Sequence, residues 1–350
     1  MKIIHKIKHY YKRAYTMGHY PSIWSVLFAD KKIYVYYGFL GDNNYGDELV
    51  YQATKFLFKD YILLPVSRYM PIGLRLFVEI KKSNIKGIVI GGGTLVGRFN
   101  MAEFFESLVK MGKPIYMHGT GVKEVIGESK SWGQVLKNGN YGGVRGPMSV
   151  KNISLIRPKM SIVGDAAFAL LNNSNYIDRS TKKRVLINLG THADYEGQQY
   201  FREQFNSFIG NLLSQKYIVD YLPFHEIDLE LGNDLKLQFK EINILKQPQG
   251  FDDCAAIFSD CTFAVGERLH FTVMAIMTSS PFVSINYAKK HEDLLASLNI
   301  PELGLVPNLA SSEKLLTAFD IRQNFQWEKI FDQMKDYKTI QFEEVEKFIK

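Results

Sequence analysis

One block recurs along the chain: a short apolar run, a glycine-rich or polar turn where it ends, then an amphipathic stretch. Ile33-Tyr34-Val35-Tyr36-Tyr37 is the first run, and Asp47 to Phe58 follows with Leu49, Val50, Ala53, Phe56 and Leu57 at helical spacing. Gly87-Ile88-Val89-Ile90 is followed by Gly91-Gly92-Gly93 and then a helix through Phe104, Phe105, Leu108 and Val109. Pro114-Ile115-Tyr116-Met117 and Ser161-Ile162-Val163 continue the series. Short apolar strands separated by helices predict an α/β chain whose parallel sheets are covered on both faces.

Residues 172–183 are polar and turn-prone and make the best linker. A second series follows, with strands expected over 184–189, 217–222, 262–265 and 281–285. Leu269 to Met277 is almost wholly apolar and predicts a helix too greasy to face water. The chain has 350 residues, enough for two domains of ordinary size. We therefore expect a basic segment over 1–30, one α/β domain over 31–175, a second over 183–320, and a charged helical segment over 321–350. Two such domains are expected to leave a ligand-binding cleft.

Composition narrows the class. Hydrophobic residues make up 46% of the chain, which supports a sizeable core. Two cysteines, Cys254 and Cys261, form neither a disulfide framework nor a metal-ligand pattern, and they fit a reducing cytosol. No apolar run is long enough to span a bilayer, and the N-terminus lacks a signal-peptide core. Net charge is +7 and unevenly spread: residues 1–29 carry Lys2, Lys6, Lys8, Lys12 and Arg13 and no acid, interleaved with Ile3, Ile4, Ile7, Tyr10, Tyr11 and Tyr15. That pattern suits an amphipathic helix on an anionic membrane, or a basic helix packed on its own domain. Nucleic acid is not expected, because no recognition motif accompanies the charge. His5 and His9 have i, i+4 spacing without an acidic partner, so no metal site is expected.

The candidate chemistry sits at strand ends. Arg268 and His270 lie two apart where the strand Thr262-Phe263-Ala264-Val265 gives way to the apolar helix. A fixed cation and a proton-transfer group at a helix N-terminus suit a reactive anion. The loop after the first strand, from Gly38 to Glu48, holds three glycines and is neither G-x-G-x-x-G nor a P-loop. Asp47 and Glu48 suit the first turn of the next helix, and Asp42 or Asp47 can instead orient a sugar hydroxyl. Gly91-Gly92-Gly93 exceed what a turn needs, so a ligand-facing loop is expected there. His118-Gly119-Thr120-Gly121 is expected to end the next strand similarly, with His118 a core histidine or a site residue. Arg145, flanked by glycines, is placed to reach a ligand with its fork of donors or to form a surface ion pair. Asp165 is expected to be structural. In the second half, His225 follows a strand, and Lys289, Lys290 and His291 follow another.

Taken in order, Gly41-Asp42-Asn43-Asn44-Tyr45-Gly46-Asp47-Glu48, Gly91-Gly92-Gly93, Val144-Arg145-Gly146-Pro147-Met148-Ser149, Gly164-Asp165-Ala166-Ala167, Glu267-Arg268-Leu269-His270 and Asn286-Tyr287-Ala288-Lys289-Lys290 resemble the polysaccharide pyruvyl transferase family over roughly residues 33–300. The resemblance implies two Rossmann-like domains in a GT-B-like arrangement with a central cleft. It implies transfer of the enolpyruvyl unit of phosphoenolpyruvate to two sugar hydroxyls, giving a cyclic ketal and phosphate. Carried over by motif, His270 and Arg268 are the catalytic pair. Arg145, Arg268, Leu269, His270, Lys290, Gly92 and Gly93 bind the donor. Asp42, Asn44, Asp47, His118 and His225 are candidate acceptor contacts. Phosphoenolpyruvate is a co-substrate, and neither cofactor nor metal is expected. The acceptor is a glycan or lipid-linked sugar, and the location is cytoplasmic, at the inner face of the cell membrane if residues 1–29 bind it. Phe271 stands where the family more often has a small residue. A GT-B glycosyltransferase using a nucleotide sugar, with Asp252 or Asp253 on the ribose, and a non-catalytic sugar-phosphate-binding module are the alternatives.

Overall fold

The computed structural model describes residues 32–66, 84–97, 109–110, 112–127, 131–137, 141–172, 183–190, 195–324 and 327–350. The expected basic segment over 1–30 lies outside these residues, as do most of the linker and the helix through Phe104, Phe105 and Leu108. The chain divides into two units between Leu170 and Leu171, and Asp336–Lys350 belongs to the first. Of the C-terminal stretch expected over 321–350, residues up to Lys335 fall in the second unit and Asp336–Lys350 in the first.

In the first unit the strands are β1 (Ile33–Tyr37), β2 (Ile62–Val66), β3 (Ile85–Ile90), β4 (Gly93–Val96), β5 (Ile115–Val122), β6 (Tyr141–Val144) and β7 (Ser161–Ile162). They form one parallel sheet in the order β2-β1-β3-β5-β6-β7, with β4 beside the second half of β5. Both faces are covered, because alternate residues of β1 enter different cores. Ile33, Val35 and Tyr37 pack with Ile88, Ile90 and Met117. Tyr34 and Tyr36 pack with Tyr51, Phe58, Val345 and Phe348, on the helices Tyr45–Leu57 and Trp327–Ile349. Pro65 hides β2 from a reading of the sequence. The strand tolerates it because β2 lies at the end of the sheet, where one edge needs no ladder.

The second unit holds β8 (Arg184–Asn188), β9 (Ile218–Tyr221), β10 (Asn243–Ile244), β11 (Phe263–Gly266), β12 (Phe282–Ile285) and β13 (Gly304–Leu305). They too are parallel, in the order β10-β9-β8-β11-β12-β13. Counted from β8 this is 3-2-1-4-5-6, the order of a dinucleotide-binding Rossmann sheet. Val185, Ile187, Val265, Val283 and Ile285 pack with Phe201, Phe205, Phe208, Leu315 and Phe319, on the helices Gln198–Ser214 and Ser312–Asp320. All nine residues of the helix Leu269–Met277 are buried, as its apolar composition requires. Among the described residues, no helix is long and apolar enough to cross a membrane.

One expectation about a strand end is corrected. Residues 118–121 do not end a strand: β5 runs on to Val122, with a register shift between His118 and Thr120, because β4 continues the sheet beside it. His118 is therefore interior. It is fully buried, with Thr54 Oγ1 2.8 Å from Nδ1 and Gln341 Oε1 3.2 Å from Nε2. Gln341 in turn donates to Val163 O and Asp165 O at 2.8 and 3.0 Å. The histidine ties the C-terminal helix to the sheet, a packing role.

Burial pushes the His118 pKa down to about 4, against the opposing pull of Gln341 and Asp165. The unfolded chain titrates its histidines near ~6.5, so between these values the unfolded state binds more protons than the folded one. Stability from this group is complete above about pH 6.5 and falls as pH drops toward about 4. The unfolding free energies of wild type and His118→Gln should therefore approach each other by about 2 kcal/mol between pH 7 and pH 5. Urea melts at a series of pH values measure this, and a pH-independent gap would remove the assignment.

Candidate functional site

In a parallel α/β sheet, ligands gather at the carboxyl ends where the strand order reverses. Each unit has one such point. In the first unit it lies between β1 and β3, whose following loops are the glycine loop from Gly38 and Gly91-Gly92-Gly93. The Gly91 N–H donates to Tyr37 O at 2.9 Å and locks the two loops together. Each glycine of the triplet has a local reason. A Cβ at Gly91 would strike the Tyr36 hydroxyl, and one at Gly92 would lie 2.7 Å from a Val50 methyl. Gly93 adopts φ +84° and has Asp47 Oδ1 nearby, 3.8 Å from where a Cβ would sit. Close packing accounts for Gly91 and Gly92 and the left-handed backbone for Gly93, so their number does not require a ligand.

The loop's acidic and amide residues also have local work. Asn44 caps the helix Tyr45–Leu57, its side chain accepting from the Gly46 N–H at 3.0 Å. Asp47 and Glu48 lie in that helix's first turn, where the macrodipole favours them. Asp42 is half-buried in the same loop. Asp165 is fully buried and accepts from the Ala167 N–H at 3.0 Å, a structural cap. Arg145 follows β6 directly and is 1% exposed, so it is not a surface ion pair. Its backbone N–H donates to Thr120 O at 3.2 Å, and Nη2 lies 3.4 Å from Thr94 Oγ1. Gly121 leaves room for the guanidinium: a Cβ there would collide with Nη2. The fork thus stands at the carboxyl edge of the first sheet, over a bed of glycine and threonine.

In the second unit the order reverses between β8 and β11. The turn after β11 is Glu267-Arg268, and it runs straight into the buried helix. Asn188, the last residue of β8, holds this turn twice. Its backbone oxygen accepts from the Glu267 N–H at 3.2 Å, and its Oδ1 accepts from the Arg268 N–H at 3.0 Å. The helical hydrogen bonds begin at Phe271 and Thr272, which donate to Arg268 O, so Leu269 and His270 stand ahead of them. His270 is 8% exposed. Phe271, the departure from the family's small residue, fills the space over Gly266 and meets Phe224 and Phe258 edge-on.

Arg268, expected from the sequence as a fixed cation, has a buried counterion. Its Nε lies 3.2 Å from both oxygens of Asp228, and Nη2 also bonds Asp228 Oδ1. Asp228 is fully buried and also accepts from the Phe224 and His225 N–H groups at 3.1 and 3.0 Å. Burial pulls the Arg268 pKa down, and the bonds to Asp228 more than reverse that. The pair is close to neutral in sum, and Nη1 is the edge of the fork that Asp228 does not use. His225 lies beside this pair with 6% exposure, its Nδ1 accepting from the Ile227 N–H at 3.1 Å.

After β12, Lys290 Nζ donates to Tyr287 Oη at 2.5 Å and lies 4.8 Å from that ring's centroid. Lys289 pairs with Glu292 at 2.8 Å in solvent. His291 is fully buried, with Nε2 2.9 Å from Glu267 O and Nδ1 3.1 Å from Ala288 O. His118 and His291 are thus core groups. His225 and His270 retain exposed surface. Asp228, Glu267 and Asn188 were not assigned roles from the sequence, although Glu267 adjoins Arg268 in the motif. No pattern in the sequence announces that residues forty or eighty positions away will bond Arg268. Among the described residues, no group of three or more histidine, cysteine or acidic side chains is arranged to hold a metal.

Two parallel α/β units, each with a reversal-point turn, are the fold class expected from the sequence, and the solved structural neighbours are GT-B fold proteins. Solved structures agree at the level of fold. The chain is similar to UDP-GlcNAc 2-epimerase from Methanocaldococcus jannaschii, with TM-score 0.54, 12% identity and coverage of 84% of this chain and 93% of that one. It is similar to UDP-N-acetylglucosamine 2-epimerase from Rickettsia bellii, with TM-score 0.52, 12% identity and coverage of 90% and 97%. The S. aureus MnaA–UDP co-structure gives TM-score 0.53, 12% identity and coverage of 87% and 90%. No curated protein matches the chain. Residues 44–289 match the polysaccharide pyruvyl transferase family, and the chain belongs to it.

Breaking the Asp228–Arg268 pair from one side leaves a buried guanidinium without its counterion. Asp228→Ala should cost about 3–5 kcal/mol of stability. Urea unfolding checks it, and a loss below about 1 kcal/mol, the worth of an exposed pair, would show that the two groups do not depend on each other.

Proposed function

We propose that this chain transfers the enolpyruvyl unit of phosphoenolpyruvate to two hydroxyls of a sugar in a cell-surface polysaccharide precursor. The product is a cyclic pyruvate ketal, and phosphate leaves. What carries the reading is the Arg268-Leu269-His270 turn at a helix N-terminus, at the strand-order reversal of the second sheet, in a chain of this family.

The chemistry asks for three things. The donor carries about three negative charges, so it needs fixed donors and cations. Arg268 offers Nη1, the helix start offers its first amides, and Lys290 offers an ammonium held by Tyr287. Because Asp228 balances Arg268, that arginine contributes direction more than net charge. Lys290 and Arg145 are assigned the charge. In the first step a sugar hydroxyl attacks the central carbon of the enol phosphate while a proton reaches its methylene carbon. His270 is assigned that proton, and the hydroxyl's own proton passes to solvent or base. In the second step another hydroxyl of the sugar attacks the same carbon, and its proton passes to solvent or base. The carbon–oxygen bond to phosphate breaks, and arginine donors stabilise the departing dianion. No metal takes part in either step as assigned. His225 is assigned to the acceptor, with Asp42, Asn44 and Asp47 of the first unit. The location proposed is cytoplasmic.

Phosphate release from phosphoenolpyruvate, dependent on a galactose- or N-acetylmannosamine-type acceptor, tests the reaction. No release with any acceptor would favour the nucleotide-sugar or non-catalytic readings. Arg268→Ala and His270→Ala should each lower turnover at least ~100-fold, the range for losing an electrostatic or acid–base group. Near-normal turnover in either variant would strip that residue of its role. The basic segment is proposed to hold the protein at an anionic membrane near a lipid-linked acceptor. Deletion of residues 1–29 should abolish sedimentation with vesicles containing anionic lipid, and unchanged sedimentation would sink the idea.

A further inference from the structure

Glu267 is the least expected group in the second unit. It is a fully buried carboxylate next to Arg268, yet it does not pair with Arg268. Three donors converge on it from elsewhere. The Gly190 N–H donates to Oε2 at 2.7 Å, Arg202 Nη2 donates to Oε2 at 2.9 Å, and the Tyr195 hydroxyl donates to Oε1. Arg202 also donates to Gly190 O at 3.3 Å, which closes a ring of bonds around the end of β8. From its backbone side, Glu267 bonds Asn188 through its N–H and His291 through its carbonyl. One residue thus ties the carboxyl ends of β8, β11 and β12 and the helix Gln198–Ser214.

Stability does not explain why a charge is kept there. Burial pushes the Glu267 pKa up in spite of Arg202, Tyr195 and Gly190, so the ionised form is held at a cost. Well-packed apolar residues can replace buried ion pairs with no loss of stability, so such pairs are better understood as fixing a geometry. The geometry fixed here is the turn that presents Arg268 and His270. A second branch leaves the same network. The Tyr195 ring lies 5.5 Å from that of Tyr287, at 30° between planes, and Tyr287 holds Lys290 by its hydroxyl. Tyr287 also meets the ring of His291 at 4.9 Å. Tyr195 therefore touches both supports: its hydroxyl holds the Glu267 turn and its ring steadies the Tyr287–Lys290 pair.

We propose that Tyr195 and Arg202, acting through Glu267, are positioning residues that set the Arg268–His270 turn, and that the Tyr195 ring separately sets Lys290. The proposal rests on the donor role assigned to these three groups. The hydroxyl branch and the ring branch can be separated by substitution. Tyr195→Phe removes the hydroxyl and keeps the ring, and Tyr195→Ala removes both. Arg202→Met removes the charge, and Arg202→Lys restores it.

Kinetics with phosphoenolpyruvate and backbone hydrogen exchange, run on the full chain, decide the matter. Tyr195→Phe and Arg202→Met should lower kcat about tenfold with KM for phosphoenolpyruvate within about twofold, because alignment is lost and ground-state binding is kept. Arg202→Lys should recover most of kcat. Tyr195→Ala should also raise that KM about tenfold. The N–H groups of Glu267 and Arg268, both held by Asn188, should exchange faster in Tyr195→Phe and Arg202→Met. Those of Val185 to Ile187 in the neighbouring strand should not change. Wild-type kcat and unchanged exchange in Tyr195→Phe would overturn the turn branch. Equal KM in Tyr195→Phe and Tyr195→Ala would overturn the Lys290 branch. A uniform acceleration of exchange across the unit would overturn both, since it marks a purely structural role. If the wild type releases no phosphate from phosphoenolpyruvate, the reaction assigned above fails, and the exchange pattern still decides whether the turn is held through Tyr195 and Arg202.

Discussion

Every strand of both sheets runs parallel, and the rest of the structure depends on that alignment. A parallel ladder brings all carboxyl ends to one edge and all connecting helices to the faces. The edge therefore collects the turns that carry Arg145 in one unit and Arg268, His270 and Lys290 in the other. The faces take the apolar side chains, so both sides of β1 are buried. Where the order of strands reverses, neighbouring turns part, and the two best-placed loops of each unit lie at those reversals.

Charges at these edges are handled in pairs. Asp228 takes Arg268, and Arg202 takes Glu267, each with further N–H donors on the carboxylate. Buried ions without partners would cost several kcal/mol each. Pairing also orients: an arginine bound along one side of its fork can offer only the other. The second unit thus combines two nearly neutral buried pairs with a lysine propped on an aromatic ring. A reactive anion there would meet fixed directions before it met net charge.

Much of this was legible in the sequence. Period and length marked β1, β3, β8, β11 and β12 to within a residue or two, and the wholly apolar Leu269–Met277 marked a buried helix. Other strands escaped notice: Pro65 masks the apolar β2, β4 starts inside the glycine triplet, and β10 and β13 are two residues long. Motif order pointed to the family, and the family match covers 44–289. Roles were harder to infer. Three adjacent glycines looked like a ligand loop, and the structure gives two of them the space for Tyr36 and Val50 and the third a left-handed backbone. His118, expected at a strand end as a core histidine or a site residue, is a core histidine inside β5, because β4 extends the sheet past it. A sequence lists residue types, but the need for space or for a bond arises only from neighbours.

By itself the sequence determined the class: alternating apolar and amphipathic segments can bury their surfaces only as helices packed on parallel sheets. It also placed Arg145, Arg268 and Lys290 just after strands, since that follows from local order along the chain. Only the tertiary structure decided what those side chains are paired with. Asn188 and Asp228 reach Arg268 across separations of 80 and 40 residues, and Arg202 reaches Glu267 across 65. Such bonds depend on strand order and crossover, which local pattern does not encode. They make Arg268 an aimed cation with its charge neutralised.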